Sequence, residues 1–133
     1  MSRPGLFVVF SKPTATDPDT LAAYHRWYDE VHGRDSLLLP GFVSGRRFKL
    51  ADEQLLPAKA AGEGFDFLAI YELDDVTKVP EARALMPALA GVSSEFASPA
   101  MDFASVKAFI FEQISSITEP TELPPGVTFP PAG

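Results

Sequence analysis

The sequence predicts an α+β sandwich with the element order βαββαβ: a four-stranded antiparallel sheet carrying two helices on one face. Three observations predict it. Four stretches rich in Val, Phe, Ile and Leu (residues 5–12, 41–51, 65–73 and 102–114) have strand length and strand composition. Two amphipathic stretches with helix-start chemistry fall after the first and third of these, at 18 to about 33 and at 74–92. Finally, the strands carry apolar residues at both parities, as a sheet covered on both faces requires. This order is the split βαβ unit of ferredoxin-like folds.

The first strand, "GLFVVFSK", is bounded by Pro and Gly and is apolar on both faces. In "TATDPDT" Asp17 is placed to cap a helix and Pro18 suits its first position. "GFVSGRRFKLA" and "FDFLAIYEL" supply the second and third strands. The connection between them, "DEQLLPAKAAGEG", is long for a hairpin and is expected to be mobile or functional. In the second helix Pro80 falls in the first turn, Leu85 and Leu89 stand four apart, and Pro87 limits or kinks the element. The last strand is "DFASVKAFIFEQI". After it, five of the thirteen prolines fall in the final sixteen residues, so the division is a domain over 1–116 and a proline-rich arm or tail over 117–133.

Composition narrows the function classes. With 133 residues and 46% hydrophobic content, the chain is one globular domain with a real core. Eleven Phe beside three Tyr and one Trp suit a large apolar interior or an aromatic-lined cavity. A net charge of −7 argues against nucleic acid and against anionic membrane surfaces. The absence of Cys excludes disulfides and thiolate metal sites. Near the N-terminus the apolar run Leu6 to Phe10 is five residues, too short for a secretory signal or a membrane span, so a cytoplasmic location is expected.

Alternation places Ser105, Lys107, Phe109 and Phe111 on one side of the last strand and Ala104, Val106, Ala108 and Ile110 on the other. Phe65, Phe67, Ala69 and Tyr71 likewise oppose Asp66, Leu68, Ile70 and Glu72. A monomer with helices on one face leaves the other apolar face wet, and a homodimer stacking sheet on sheet is the economical solution.

The first helix concentrates the candidate chemistry. At about 100° per residue, Leu21, Tyr24, His25, Trp27, Tyr28, Val31 and His32 share an arc of roughly 160°. His32 lies near the centre of that stripe. It reads either as a helix C-terminal histidine favoured by the dipole or as a catalytic group with two supporters. Tyr28, four residues earlier, shares its side, and Asp35, beyond Gly33, is within reach to orient the ring. His25 and His32 are two turns apart, about 10 Å along a helix, too far to share a metal ion. No metal site is expected. Ser93-Ser94 and Ser115-Ser116 lack a nucleophile elbow, and "AGEGF" (61–65) lacks the Lys-Ser/Thr of a phosphate loop. Arg46 and Arg47 point to opposite faces; the pair reads first as solvated, and second as one exposed arginine and one facing a cavity to meet an anionic group, with Arg46 the candidate for that contact.

The stretch "RWYDEVHGRDSLLLPGFVSGRRFKL", with "FLAIYEL" downstream, resembles the EthD-like group of the dimeric α+β barrel superfamily. The shared pattern is the aromatic pair Trp27-Tyr28, then His32, Asp35, and Leu39-Pro40-Gly41-Phe42 opening a strand; counting element order, the resemblance covers about residues 5 to 114. Gly33-Arg34 departs from it, standing where relatives often have Leu-Pro. The resemblance implies sheets pairing into a dimeric barrel, a cleft between sheet and helices, and a histidine acting as acid or base. The expected function is a small enzyme without a cofactor, acting on a hydrophobic aromatic or polyketide-like molecule. In it His32 is the acid/base, Tyr28 its partner and Asp35 the orienting group, with Tyr24, Trp27, Phe67, Tyr71 and Phe109 forming the pocket wall. A non-enzymatic dimeric module for a small apolar ligand is the alternative, and haem binding ranks third.

Overall fold

The computed structural model describes residues 2–60, 64–92 and 97–129. All four expected strands form, as β1 (Gly5–Ser11), β2 (Phe42–Lys49), β3 (Phe67–Leu73) and β4 (Lys107–Glu112). They make one sheet in the order β2-β3-β1-β4, every pair antiparallel. The two central strands are the first and third in the chain, as the βαββαβ connection requires.

Register sorts the side chains. Phe7 lies opposite Tyr71 and Ile110, and Val9 opposite Ala69 and Ala108, on the face that meets the helices. Leu6, Val8 and Phe10 stand with Ile70, Leu68, Phe109 and Phe111 on the opposite, outer face. The main core gathers Val9, Ala69 and Tyr71 from the sheet with Tyr24, Trp27, Tyr28 and Val31, all buried. A smaller cluster of Leu39, Ala82 and Leu89 is joined to it through Phe42. On the outer face Phe48, Phe109 and Phe111 are exposed, and every residue of β4 is exposed.

The first helical run, α1 (residues 18–36), starts as the sequence predicts. Asp17 accepts the Thr20 N–H at 3.0 Å, and Pro18 occupies the first position. It does not stop at Gly33. After the α-helical Pro18–Arg26 comes a π-helical segment, Trp27–His32, followed by one more α-turn, Gly33–Ser36. The Gly33 N–H bonds the Tyr28 carbonyl, five residues back, and a Cβ on Gly33 would lie 2.7 Å from that oxygen. Glycine is therefore required inside the helix by a close approach, and it is not the left-handed stop that glycine usually marks. The helix closes with tightened bonds, Leu38 N–H to Asp35 O at 3.0 Å and Leu39 N–H to Ser36 O at 3.1 Å. Gly41, at φ 87°, then turns the chain into β2.

A short α2 (Pro57–Ala60) interrupts the β2–β3 connection, where Leu55 is 95% exposed. The second helical run, α3 (residues 76–91), begins where Asp75 accepts the Thr77 N–H at 3.0 Å. It is α-helical over Val79–Leu85 and tightens to a 3-10 helix over Met86–Gly91. The change falls at Pro87, which has no N–H to continue an α-ladder. Of the expected Leu85/Leu89 pair, only Leu89 is buried, together with Ala82; Leu85 turns outward. Ahead of β4 the chain folds back against β1, with Thr14 N–H on Ala100 O at 2.8 Å and Asp102 N–H on Lys12 O at 2.9 Å. Residues 113–129 form no helix or strand and are exposed.

Gly33→Ala tests the π-turn directly. In an ordinary exposed helix Ala in place of Gly would add about 1 kcal/mol of stability. Here the clash with Tyr28 O reverses the sign, and a loss of roughly 1–3 kcal/mol is expected from urea denaturation. A stabilised variant would show that the widened turn is not needed.

Candidate functional site

Between the inner face of the sheet and the helices lies a cavity of about 540 Å³. Phe7 and Val9 of β1 and Ala108 and Ile110 of β4 form its floor; Leu39, Ala82, Met86 and Leu89 form its roof, with Phe42, Met101 and Phe103 at the sides. Among the described residues only Tyr28, His32, Ser36 and Arg83 bring polar groups to this apolar chamber. Aliphatic and aromatic walls with a few convergent polar groups are the usual make-up of a small-molecule site.

The π-turn places His32. Its ring stacks on Trp27, five residues earlier, with centroids 4.6 Å apart and planes within 17°. It stands perpendicular to Tyr28 at 5.6 Å. Among the described residues the ring makes no hydrogen bond. Burial pulls the His32 pKa down from 6.5, against the opposing charge of Asp35. The imidazole is thus neutral near pH 7, with a lone pair available to the chamber. Tyr28 is the opposite case. Burial pushes its hydroxyl up to about 12, opposed by the Ser11 hydroxyl, which donates to it at 3.4 Å. Tyr28 therefore remains protonated. Ser11 and Tyr24 share a short bond of 2.5 Å, so three hydroxyls are tied together beneath α1.

Asp35 acts on His32 as a charge, with no hydrogen bond between them. Its Oδ2 is buried and has no partner among the described residues. The contact that the ring plane follows is the stack on the Trp27 indole face. Trp27 and Tyr24 are buried behind the histidine and are not among the chamber's lining residues.

Other expected wall residues lie elsewhere. Phe67 packs at the far end of α1, 5.4 Å from Tyr24 and 5.0 Å from His25, beside a cleft under the β2–β3 connection. Tyr71 faces a second, smaller cavity. Phe109 is on the outer face with Phe111, because it pairs with Val8, whereas its neighbours Ala108 and Ile110 face the chamber. Arg46 also belongs to the outer face, 3.6 Å from Glu72. The inward arginine is Arg47. Its guanidinium donates to Asp29 Oδ1 at 3.0 Å, meets His25 Nδ1 at 3.0 Å, and lies 4.6 Å over the Tyr28 ring. Sequence parity separated these pairs correctly, but parity alone does not say which member faces the helices. The floor residue Phe7 and the Ala100-Met101 fold-back carried no chemical signal in the sequence.

The smaller cavity, about 160 Å³, is lined by Tyr28, Asp29, Gly33, Arg34, Arg47 and Tyr71 together with Leu37, Gly45 and Arg46. Tyr28 is common to both cavities. Burial raises the Tyr71 hydroxyl pKa, and a Ser36 hydrogen bond opposes the shift. Among the described residues no group of three His, Cys, Asp or Glu is arranged to hold a metal ion. None of their helices is long and apolar enough to cross a membrane. Ser115 and Ser116 are exposed; Ser93-Ser94 and residues 61–63 of "AGEGF" lie outside the described residues.

No family model and no curated protein matches the chain. Solved structures do. An EthD family protein from Bacillus halodurans superimposes with a TM-score of 0.52 at 16% identity, over 84% of this chain and 99% of its own. A dimeric ferredoxin-like protein of unknown function from Thermobifida fusca gives 0.51 at 13% identity, over 85% and 93%. The chain has the ferredoxin-like fold. SnoaB, a cofactor-independent oxygenase from Streptomyces nogalater, shares it with a TM-score of 0.52 at 14% identity, over 87% of this chain and 98% of that one.

The depressed His32 pKa carries a sign for stability. Below 6.5 the unfolded chain binds the proton that folded His32 resists, so the fold loses stability as pH falls through that value. His32→Gln should flatten the drop in urea midpoint between pH about 7.5 and about 5.5. His25, also lowered by burial, leaves a residual slope. An unchanged slope in the variant would place His32 in water.

Proposed function

We propose that this protein is a small enzyme of the EthD-like kind that works without a cofactor, binding a hydrophobic aromatic or polyketide-like molecule in the His32 chamber. The observation that carries the reading is a neutral imidazole with no hydrogen-bond partner among the described residues, facing a chamber of about 540 Å³ with otherwise apolar walls. Such a group takes a proton from an acidic C–H or phenol of a bound ring, and the Trp27 face holds it in plane while it does so. Tyr28 keeps its proton and polarises the same wall. The likeness to a cofactor-independent oxygenase supports this class of chemistry. Oxygenation, cyclisation, dehydration and isomerisation each have a base-initiated route that opens with such a proton transfer.

The working form is a homodimer. Exposed Phe109, Phe111 and Phe48, with the outer faces of β1 and β3, make a continuous apolar surface that a second copy would cover sheet to sheet. A structural neighbour is itself a dimeric ferredoxin-like protein, which supports the assembly.

Two experiments test these readings. Hydroxynaphthoquinone and hydroxyanthraquinone probes should raise Tm, by linkage worth about 2.7 kcal/mol at a hundredfold excess over Kd. His32→Ala, which loses the Trp27 stack, should stay folded at a somewhat lower Tm and keep the probe-induced shift while losing turnover by at least about a hundredfold; Ala108→Phe, filling the floor, should abolish the shift. Undiminished turnover in His32→Ala would leave a binding module without His32 chemistry. For the assembly, Phe109→Glu should sediment as a folded monomer, and a persisting dimer would rule out pairing through this face.

A further inference from the structure

The smaller cavity has a chemistry unlike that of the His32 chamber. Although the chain is acidic overall, two arginine side chains on the helix side of the sheet, Arg34 and Arg47, line a space of about 160 Å³. Asp29 sits in the wall and pairs with Arg47. Arg46 borders the space too, but its side chain lies toward the outer face, 3.6 Å from Glu72, and adds no charge to it. Two positive charges against one negative leave one. The uncompensated group is Arg34, whose side chain makes no ion pair or hydrogen bond among the described residues.

The walls leave room for a ligand. A Cβ on Gly45 would lie 3.0 Å from the Tyr71 ring, and one on Gly33 would lie 3.8 Å from the Tyr71 hydroxyl. Gly45 thus lets the chain lie close against the Tyr71 ring, and Gly33 stands at contact distance from its hydroxyl. The volume equals about five water molecules at roughly 30 Å³ each, enough for a carboxylate and part of its hydration shell. Arg47 is held by Asp29, His25 and the Tyr28 ring, and Arg34 lines the same space.

We infer that this cleft binds a carboxylate monoanion, clamped by Arg34 and the Arg47 guanidinium with the Tyr71 hydroxyl as a further donor. A planar fork matches a carboxylate in a way that a Lys ammonium does not. One net positive charge selects a monoanion over a phosphate dianion. The site lies on the other side of Tyr28 from the apolar chamber, so it stands whether or not His32 performs chemistry.

Acetate titrated into the full chain by calorimetry, with chloride held at equal ionic strength in the reference, tests it. Saturable binding of acetate is expected, with Arg34→Ala weakening it at least tenfold at an unchanged circular dichroism spectrum. Arg34→Lys should recover only part of the loss. Lys59→Ala, removing an exposed cation elsewhere, should bind acetate as the parent does. The inference is overturned by chloride matching acetate, by undiminished binding in Arg34→Ala, by an equal loss in Lys59→Ala, or by phosphate binding more tightly than acetate.

Discussion

One hydrogen bond, from the Gly33 amide to the Tyr28 carbonyl, decides where His32 stands against Trp27 and Tyr28. It widens α1 by a residue, so that the side chain five positions on, and not four, lies over its predecessor. Trp27 and His32 become a stacked pair, and Tyr28 turns its edge to the imidazole. Each such aromatic contact is worth about 0.5–1.5 kcal/mol beyond burial. These contacts offset the poorer hydrogen-bond geometry of the wide turn. The same bond opens the space beside Gly33 through which Tyr71 meets the smaller cavity. A regular α-helix over residues 18–36 would rotate the downstream turn and separate the imidazole from both its indole support and the chamber.

The sheet explains the heavy phenylalanine content. Its inner face needs bulky side chains to meet a helix, and Phe7 and Phe42 pack with Tyr71 at ring distances of 5.8–6.0 Å. Its outer face carries Phe10, Phe48, Phe109 and Phe111 with no helix over them. The β4 strand shows both conditions in alternate residues, since Ala108 and Ile110 floor the chamber while Phe109 and Phe111 project the other way. Small Ala108 between larger neighbours contributes to the volume of the floor, a local choice with a direct functional consequence.

How much was legible follows from which signals are local. Strand composition, the Asp17 cap, Pro18 and the "LLLPGF" turn are local, and each formed where the residues place it. The end of α1 was misread because glycine after an apolar stripe usually stops a helix, whereas Gly33 serves a contact within the helix. The facing of Arg46 and Phe109 was misread for a different reason. Alternation fixes that Arg46 and Arg47 differ, and it needs the position of α1 to say that Arg47 is the one under Tyr28. Ala100 and Met101 were invisible because their role comes from a backbone fold-back against Lys12 and Thr14, contacts remote in sequence. His32 stood out because its residue type is rare on an apolar stripe, and its side chain lines the chamber.

Tyr28 connects the two cavities, and its environment explains why they differ in polarity. On one side its ring carries the Arg47 guanidinium, which holds Asp29 and His25 together in a charged, partly open cleft. On the other it borders a chamber where, among the described residues, the ionisable side chains besides its own hydroxyl are His32 and Arg83. An aromatic ring suits this boundary, because its face attracts a cation while its body excludes water from the chamber. A smaller residue at position 28 would let water pass from the arginine cleft to the imidazole. With that water His32 would regain solvation and its pKa would rise toward 6.5. The neutral state of His32 is therefore maintained by the tyrosine wall as much as by its own burial.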